Sequence, residues 1–371
     1  MSENSALPPR RSSKPAAGSS KKAKKTKKPR RWLRILFTLF GLVIVGLAVY
    51  VGSLVNEANK ALGKVAAKPG TAAGDTPLND ADKAQVKPIA LLLLGLDYRH
   101  ETGSKNTDVI MTAVFNPKSK TATVVSVPRD SLLGVANYKK HKANAYYANF
   151  LSIARSKEKL KDDDADQYAR EQTRELMSKF FEIPIDYTAV IDFQGFVDVV
   201  DALGGVDVYV DQNMIYKDNA DGTDINLKKG DQELNGIDAL GFVRYRKSNH
   251  GKTPESSDFE RNDRQSRVLG AIIDRMKSFG SLPKFDNVIE AVGENMRSDI
   301  PKAQITNMLT TYFGISKQNV RFIALEGTWR SPYVYLDEAK LEEAKKALEE
   351  ERQPTGRALT STDEASQAAQ D

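Results

Sequence analysis

The sequence predicts an α/β protein with a single exported three-layer α/β/α domain. We expect a central mixed, twisted sheet, preceded along the chain by one transmembrane helix. Between residues 87 and 350, short apolar runs rich in β-branched residues alternate with amphipathic helical patterns. Several runs are too continuously apolar to have a solvated face. Strands of that kind are covered by helices on both sides of the sheet, which predicts the three layers.

The predicted transmembrane helix occupies residues 35–55, a stretch of 21 residues without a charged side chain. At 1.5 Å per residue, a helix of this length spans about 30 Å of hydrocarbon. Residues 1–34 contain twelve basic residues and one acidic residue, and positively charged flanks stay on the cytoplasmic side. We therefore expect a cell-membrane protein that crosses once, with a basic cytoplasmic tail (1–34) and an extracytoplasmic domain. The apolar run is longer than a signal-peptide core, although the small residues Gly46 and Ala48 leave cleavage open.

Two segments that flank the domain have little apolar periodicity. Residues 56–86 are predicted to form a flexible stalk, and residues 351–371 a disordered C-terminal tail. The domain between them is predicted at 87–350. After residue 34 the chain has 43 basic and 48 acidic residues, so the formal net charge of +6 comes from the N-terminal tail. The composition therefore does not predict a nucleic-acid-binding domain.

The elements follow from local patterns, taken in chain order. Aliphatic and β-branched runs bounded by turn residues predict strands at 89–96, 109–115, 122–127, 187–193, 206–210 and 320–325. Apolar residues three and four apart predict helices at 149–155, 167–181, 195–203, 258–279, 287–296, 302–313 and 338–351. The stretch 242–246 is predicted to be extended, because Phe, Val and Tyr favour strands.

Several classes of site are excluded or disfavoured by composition. The chain has no Cys, which excludes disulfides, Cys-ligated metals and thiol nucleophiles. Its three histidines are far apart in sequence, which argues against a His-rich zinc site and a Ser-His-Asp triad. The segment Gly251-Lys252-Thr253 lacks the first glycine of a P-loop.

Two aspartates stand at the ends of predicted neighbouring strands. Asp97 ends the first strand and Asp108 begins the second, so both carboxylates can meet at one edge of the sheet. Carboxylate oxygens, completed by water and phosphate oxygens, are typical ligands of Mg²⁺. Asp is also common in turns, which is the alternative interpretation at both positions.

Arginines form the second candidate cluster. Arg129 follows a predicted strand directly after Pro128, and Arg244 and Arg246 share a face if their stretch is extended. At the start of the long helix 258–279, one face carries Arg261, Arg264 and Gln265. Each guanidinium offers two parallel donors to phosphate oxygens, so together these residues could form a pyrophosphate cradle. Ordinary surface ion pairing is the alternative.

Seven strings resemble one known family in their order along the chain: LLLLGLDYR, TDVIM, FNPKSKTATVVSVPRD, HKANAYY, DYTAVIDFQGFVDVVDALGGVDV, GDQELNGIDALGFVRYR and DFERNDRQSRV. They span residues 91–268 and are similar to the LytR-CpsA-Psr family of cell-wall assembly proteins. The resemblance implies a phosphotransferase that moves an anionic glycopolymer, of the teichoic-acid or capsular kind, from a polyprenyl-pyrophosphate carrier to peptidoglycan. It also implies an apolar groove for the prenyl chain.

The resemblance assigns roles to residues. It implies Mg²⁺ near Asp97 and Asp108, which with Arg129 are the expected catalytic residues. The pyrophosphate contacts that it implies come from Arg99, Arg129, Lys142, Arg244, Arg246, Arg261, Arg264 and Gln265. One departure is Asn106, which stands where the family has an arginine. This change favours one alternative, a non-catalytic protein that binds the polyprenyl carrier. A regulatory wall protein that binds anionic polymer is the other.

Overall fold

A computed structural model describes residues 78–98, 105–219, 222–249, 253–278, 296–312 and 315–358, with the single residues Asn56, Lys60, Gly63 and Ala66. The predicted cytoplasmic tail and transmembrane helix lie outside the described residues, as does nearly all of the stalk up to residue 77. Across the part of the chain that is described, no helix has the length and apolar character needed to cross a membrane.

The centre of the domain is a mixed six-stranded sheet in the order β11-β6-β1-β2-β3-β12. Its strands are β1 (Ile89–Tyr98), β2 (Lys105–Asn116), β3 (Thr121–Ser126), β6 (Tyr187–Asp192), β11 (Met296–Ser298) and β12 (Val320–Ala324). Three pairs of neighbouring strands are antiparallel: β1 with β2, β2 with β3, and β6 with β11. The other two pairs, β1 with β6 and β3 with β12, are parallel. The predicted mixed α/β fold with a central sheet is therefore confirmed.

The other strands form short ribbons: β4 (Leu132–Leu133) with β5 (His141–Lys142), β7 (Val206–Val210) with β10 (Gly230–Leu234), β8 (Met214–Asp218) with β9 (Thr223–Leu227), and β13 (Gly327–Arg330) with β14 (Tyr333–Leu336). The predicted strand 206–210 is present, but it pairs in a ribbon and not in the central sheet. Its alternating buried and exposed residues are typical of a strand with one wet face.

The described helices are α1 (Tyr146–Ser156), α2 (Asp162–Phe181), α3 (Phe193–Ala202), α4 (Gly236–Arg244), α5 (Asp258–Ser278), α6 (Lys302–Tyr312) and α7 (Glu338–Arg352). Alternate residues of β1 point to opposite faces of the sheet. Leu92 and Leu94 pack in the largest core cluster with side chains of α1, α2 and α7, such as Leu176 and Leu348. Leu91 packs on the other face, beside Tyr312 of α6. Helices therefore cover both faces.

The stretch 242–246 was predicted to be extended, and that prediction is wrong. Helix α4 runs to Arg244, and the chain becomes extended only from Tyr245. Asn235 caps the helix, because its side chain accepts a hydrogen bond of 2.8 Å from the backbone N–H of Asp238. Phe242 is fully buried among residues of α4, α5 and the β7–β10 ribbon, so burial decides the conformation against the strand propensity.

The C-terminal boundary of the domain also differs from the expectation. Helix α7 continues to Arg352, and the Glu351 side chain is fully buried. Its carboxylate accepts hydrogen bonds from Thr121 and Thr123 of β3, and Arg357 is buried beside it. Residues 351–358 therefore pack on the domain. The predicted tail beyond them and most of the predicted helix 287–296 lie outside the described residues, although Met296 belongs to β11.

Candidate functional site

An apolar cavity of about 300 Å³ lies between one face of the central sheet and helices α3, α4 and α5. Its floor includes Leu93 of β1 and Met111 of β2, and its walls include Phe196, Leu240 and Ile272. The charged and polar side chains that line it are Asp108, Asp192, Arg244, Arg261 and Gln265. The arrangement can hold an apolar group beside the cationic side chains of Arg244 and Arg261.

A β-bulge positions Asp108 at this cavity. Gly95 pairs with Val109 and Leu96 with Thr107, so Asp108 is the extra residue between two ladder positions. A bulge re-aims the side chain that it carries. Gly95 permits the close approach of the strands, because a Cβ at this position would lie 2.8 Å from the Cβ of Val109. The sequence pattern showed both strands but gave no signal for the bulge.

Asp108 is the first of four side chains of alternating charge that contact one another in series at this end of the sheet, the Asp108–Arg129–Asp130–Lys142 chain. Its Oδ1 accepts a hydrogen bond of 2.8 Å from Nη1 of Arg129. The Nε of Arg129 lies 3.6 Å from Oδ2 of Asp130, whose Oδ1 accepts a hydrogen bond of 2.7 Å from Nζ of Lys142. Asp130 is buried and Lys142 is half-buried. The structure thus brings together Asp108, Arg129 and Lys142, three of the predicted site residues.

Arg244, Arg261 and Gln265 converge on the cavity from two helices. Arg244 is the last residue of α4, and its guanidinium carbon lies 4.5 Å from the ring centroid of Phe193, a cation–π contact. Arg261 and Gln265 are separated by one turn of α5, and both are buried. A buried guanidinium at the wall of an apolar cavity is costly unless a charged partner or ligand compensates it.

Arg264 lies away from the cavity, in contrast to the predicted cradle. Its Nε and Nη2 donate to the two carboxylate oxygens of Asp211 at 2.8 and 2.6 Å, and its Nη1 donates to Ser256 Oγ at 2.8 Å. The side chain is fully buried. Burial alone would raise the pKa of Asp211, but the hydrogen bonds and charge of Arg264 hold the pKa below its usual value. Arg264 is therefore a strut that ties α5 to the segment after β7.

The remaining described residues of the predicted site, Asp97 and Arg246, do not line the cavity. Arg246 is exposed and lies in the extended segment after α4. Asp97 is half-buried near the end of β1, directly across the strand pair from the exposed Asn106. Arg99 lies outside the described residues. Asp97 and Asp108 therefore stand near the same end of two neighbouring strands, as the sequence predicted.

The carboxylate oxygens of Asp97 and Asp108 are chemically suited to bind a magnesium ion. Asp97 and Asp108 offer hard carboxylate oxygens on adjacent strands, and water and phosphate oxygens usually complete such a set. In the described residues, no group of three or more His, Asp or Glu side chains is arranged to hold a metal. The other ligands of a metal held by these two carboxylates would be water and phosphate oxygens.

Two site residues were not found from the sequence. Asp192 ends β6, lines the cavity and caps α3 by accepting a hydrogen bond of 2.9 Å from the backbone N–H of Gly195. Its position after an apolar strand and before a helix is an N-cap signal that could have drawn attention to it. Asp130 stands beside Arg129 in the sequence, but its place between Arg129 and Lys142 depends on the β4–β5 ribbon.

Comparison with known proteins gives a consistent result. Residues 52–350 match the model of the LytR_cpsA_psr family. Over 86% of its length, the chain is 30% identical to the polyisoprenyl-teichoic acid–peptidoglycan teichoic acid transferase TagV of Bacillus subtilis (strain 168), of which it covers 78%.

Solved structures agree with the sequence relatives. The crystal structure of B. subtilis TagV superposes with a TM-score of 0.56 at 30% identity, covering 71% of this chain and 97% of that one. A structure of TagT bound to LI-WTA superposes with a TM-score of 0.53 at 26% identity, covering 76% and 96% of the two chains.

Proposed function

Because the chain belongs to the LytR_cpsA_psr family, we propose that it is a transferase that moves a teichoic-acid-like glycopolymer from a polyprenyl-pyrophosphate carrier to peptidoglycan. The relative TagV is named as a transferase of this kind. The acceptor hydroxyl oxygen bonds to the phosphorus that carries the glycopolymer, and the bond to the bridging oxygen breaks. The products are a phosphodiester, polyprenyl phosphate as the leaving group, and the proton lost from the hydroxyl.

The observation that carries this proposal is the apolar cavity with charged groups along its lining. A prenyl chain gains about 0.8 kcal/mol for each CH₂ that leaves water, and side chains such as Leu240 and Ile272 offer it an apolar environment. Arg244 and Arg261 supply cations for the pyrophosphate. Bidentate donation by a guanidinium suits phosphate oxygens and stabilises the charge that grows on the leaving phosphate.

The Asp108–Arg129–Asp130–Lys142 chain holds a further cation, Arg129, in place. Arg129 is fixed between two carboxylates, so its guanidinium is oriented before the substrate arrives. Pre-oriented donors stabilise a transition state without the cost of reorganisation. In this proposal Arg129 contacts the pyrophosphate, and Asp130 acts by positioning Arg129 and Lys142.

A magnesium ion held by Asp97 and Asp108 is part of the proposal. The ion would supply positive charge to the pyrophosphate oxygens during phosphoryl transfer. The two carboxylates would hold it, while Arg129 shares Asp108 and limits how that side chain can turn. We also propose that the domain is extracytoplasmic and anchored by residues 35–55, because twelve basic residues precede this uncharged apolar stretch. Transfer is possible there without a nucleotide, since the carrier's own pyrophosphate bond supplies the energy.

Filling the cavity tests the lipid site. Leu240→Trp places a large ring in the cavity, so we expect the affinity for polyprenyl pyrophosphate to fall about tenfold or more. Leu341→Trp is a matched control, because Leu341 of α7 is also half-buried but packs against the core cluster on the opposite face. Equilibrium binding of a labelled prenyl pyrophosphate measures both. Equal affinity in the two variants would contradict a lipid site in this cavity.

Thermal unfolding with added Mg²⁺ tests the metal. We expect Mg²⁺ and prenyl pyrophosphate together to stabilise the wild type, and Asp97→Asn and Asp108→Asn each to remove most of that stabilisation. Asp207→Asn is the control, since Asp207 is an exposed carboxylate of β7 outside the cavity lining. Equal stabilisation by Mg²⁺ in all four proteins would remove these two aspartates from the metal site.

The second candidate function is a non-catalytic carrier-binding protein, and the neutral, exposed Asn106 across from Asp97 favours it. If the chain is an enzyme, Asn106→Arg should raise the transfer rate more than it tightens donor binding, because charge on the leaving phosphate grows toward the transition state. Single-turnover transfer beside equilibrium donor binding measures this. Tighter binding without any product from either protein would favour the binder.

A further inference from the structure

The β13–β14 hairpin carries two of the three most exposed aromatic side chains among the described residues; the third is Tyr209 of β7. Trp329 is 48% exposed and Tyr335 is 43% exposed. Large aromatic rings usually contribute to a core or an interface, and Trp and Tyr are enriched where one side is apolar and the other is wet. The mechanism proposed above uses neither ring.

The hairpin is fixed directly to the charged chain of the candidate site. The backbone N–H of Val334 donates to the carbonyl oxygen of Asp130 at 2.9 Å, and Ser131 forms a β-bridge with Val334. Val334 is almost fully buried. The hairpin is therefore bound directly to the loop that contains Arg129 and Asp130.

The two rings belong to opposite faces of the hairpin. Trp329 pairs with Val334, and Tyr335 pairs with Thr328, so the register places Trp329 on the same face as the buried Val334 and Tyr335 on the other. On its face, Trp329 meets Lys142, whose Nζ lies 5.8 Å from the ring centroid. The same Nζ lies 2.7 Å from Asp130 Oδ1. Trp329 is thus the outermost member of a connected series that leads to Arg129 and Asp108.

We propose that Trp329, with Lys142, forms a subsite for a pyranose ring of the acceptor glycan; the proposal rests on the function above and locates its acceptor. A pyranose has an apolar face of C–H groups that stacks on an indole, and hydroxyl and acetamido oxygens at its rim that accept hydrogen bonds from an ammonium group. The indole keeps about half of its surface open although Lys142 lies over the ring. A sugar stacked there would lie at the outer end of the series of contacts that leads to Arg129 and Asp108.

Fluorescence tests the contact directly. Trp32 is the other of the two tryptophans, so full-length Trp32→Phe protein reports on Trp329 alone. The probe is a soluble, uncrosslinked glycan fragment of peptidoglycan. We expect a saturable change in indole emission. No change, or an equal change with lipid vesicles in place of the glycan, would overturn the subsite.

Kinetics test the role in transfer. Trp329→Ala should raise the KM for the acceptor glycan about tenfold, as expected for loss of one stacked ring, and leave the KM for the prenyl-pyrophosphate donor unchanged. Trp329→Phe should recover part of the loss. Tyr335→Ala is the matched control, with similar exposure on the other face of the hairpin, and should behave as the wild type. An unchanged acceptor KM in Trp329→Ala, or equal losses in both alanine variants, would overturn the proposal.

The two proposals fail in different ways. Saturable glycan binding at Trp329 by a protein that binds no prenyl pyrophosphate would support the subsite and contradict the transferase. Donor binding and turnover without any glycan contact at Trp329 would overturn the subsite alone.

Discussion

On one face of the central sheet, α1, α2 and α7 fill the space against β1 and β2 with side chains that are almost fully buried, such as Leu94, Leu176 and Leu348. On the other face, α3, α4 and α5 leave a cavity of about 300 Å³. Protein interiors are normally packed as densely as organic crystals, so the open space is a departure. The first face is fully packed and contributes most to stability. The second face is less densely packed and has space for a ligand.

The walls of the cavity are held by polar contacts as well as apolar packing. Arg264 ties α5 to Asp211 and to the carbonyl oxygen of Tyr245, which directly follows α4. Arg275 also donates from α5 to the carbonyl oxygens of Leu203 and Gly204, which follow α3. Polar contacts also hold the filled face, where Glu351 of α7 accepts hydrogen bonds from β3. The two faces therefore differ in how completely they are packed, and that difference can be tested.

The largest difference is expected from truncating one leucine on each face. Leu176→Ala should lower the free energy of unfolding by about 2–5 kcal/mol, because the filled core cannot collapse around the new cavity. Leu240→Ala should cost less than about 2 kcal/mol, since this half-buried side chain already borders open space. Chemical denaturation of both variants gives the two values. Equal losses would mean that the cavity side is packed as tightly as the other.

Removing the strut should give the next largest effect. Arg264→Met keeps most of the volume but leaves the Asp211 carboxylate without its bidentate partner, so we expect a loss of about 2–3 kcal/mol. The double variant with Asp211→Asn should recover part of that loss, because the uncompensated charge is then gone. Lys277→Met is a control, since Lys277 is an exposed cation on the same helix. A loss no larger than in this control would show that Arg264 is not a strut.

The smallest expected effect is a pH dependence of the free energy of unfolding, which comes from the Asp211–Arg264 pair beside the cavity. The folded-state pKa of Asp211 is lowered by Arg264, so this pair stabilises the fold above the unfolded-state pKa near 4, and the contribution is lost as the pH falls through the folded-state value. Relative to Asp211→Asn, the wild type should lose its advantage below about pH 4. Urea unfolding of both proteins at pH 7 and at steps below pH 4 measures it. A difference that stays constant over this range would contradict the prediction.

Five of the six strands of the central sheet could be predicted because their signal is local, whereas the three-residue strand β11 was not predicted. Runs such as 89–96 are continuously apolar, and burial on both faces of a sheet is the physical reason for that pattern. Helix α4 was missed because its Phe-Val-Arg-Tyr end has strand propensity and tertiary burial overrides it. The Asn235–Gly236 pair at its start was the local signal available, since Asn is a strong N-cap.

The candidate site was predictable only in part. Asp108 and Arg129 stand at strand ends, and adjacent strands bring them to a hydrogen bond. Spacing on α5 placed Arg261, Arg264 and Gln265 on one side of the helix, but only two of them line the cavity. The partner of Arg264 is 53 residues away in the chain, and no local pattern can indicate which arginine such a distant carboxylate will bind.

The position of β12 in the sheet has a consequence for the order in which the protein can be completed. β12 is the edge strand beside β3, and its partners are separated by about 200 residues, as in the pair Val320 with Ala122. During synthesis from the N-terminus, the hydrogen-bonding edge of β3 therefore emerges long before its partner exists. An unpaired strand edge is a template for intermolecular pairing. Until residues 320–324 have been made, the nascent domain exposes this edge of β3 to pairing with other chains.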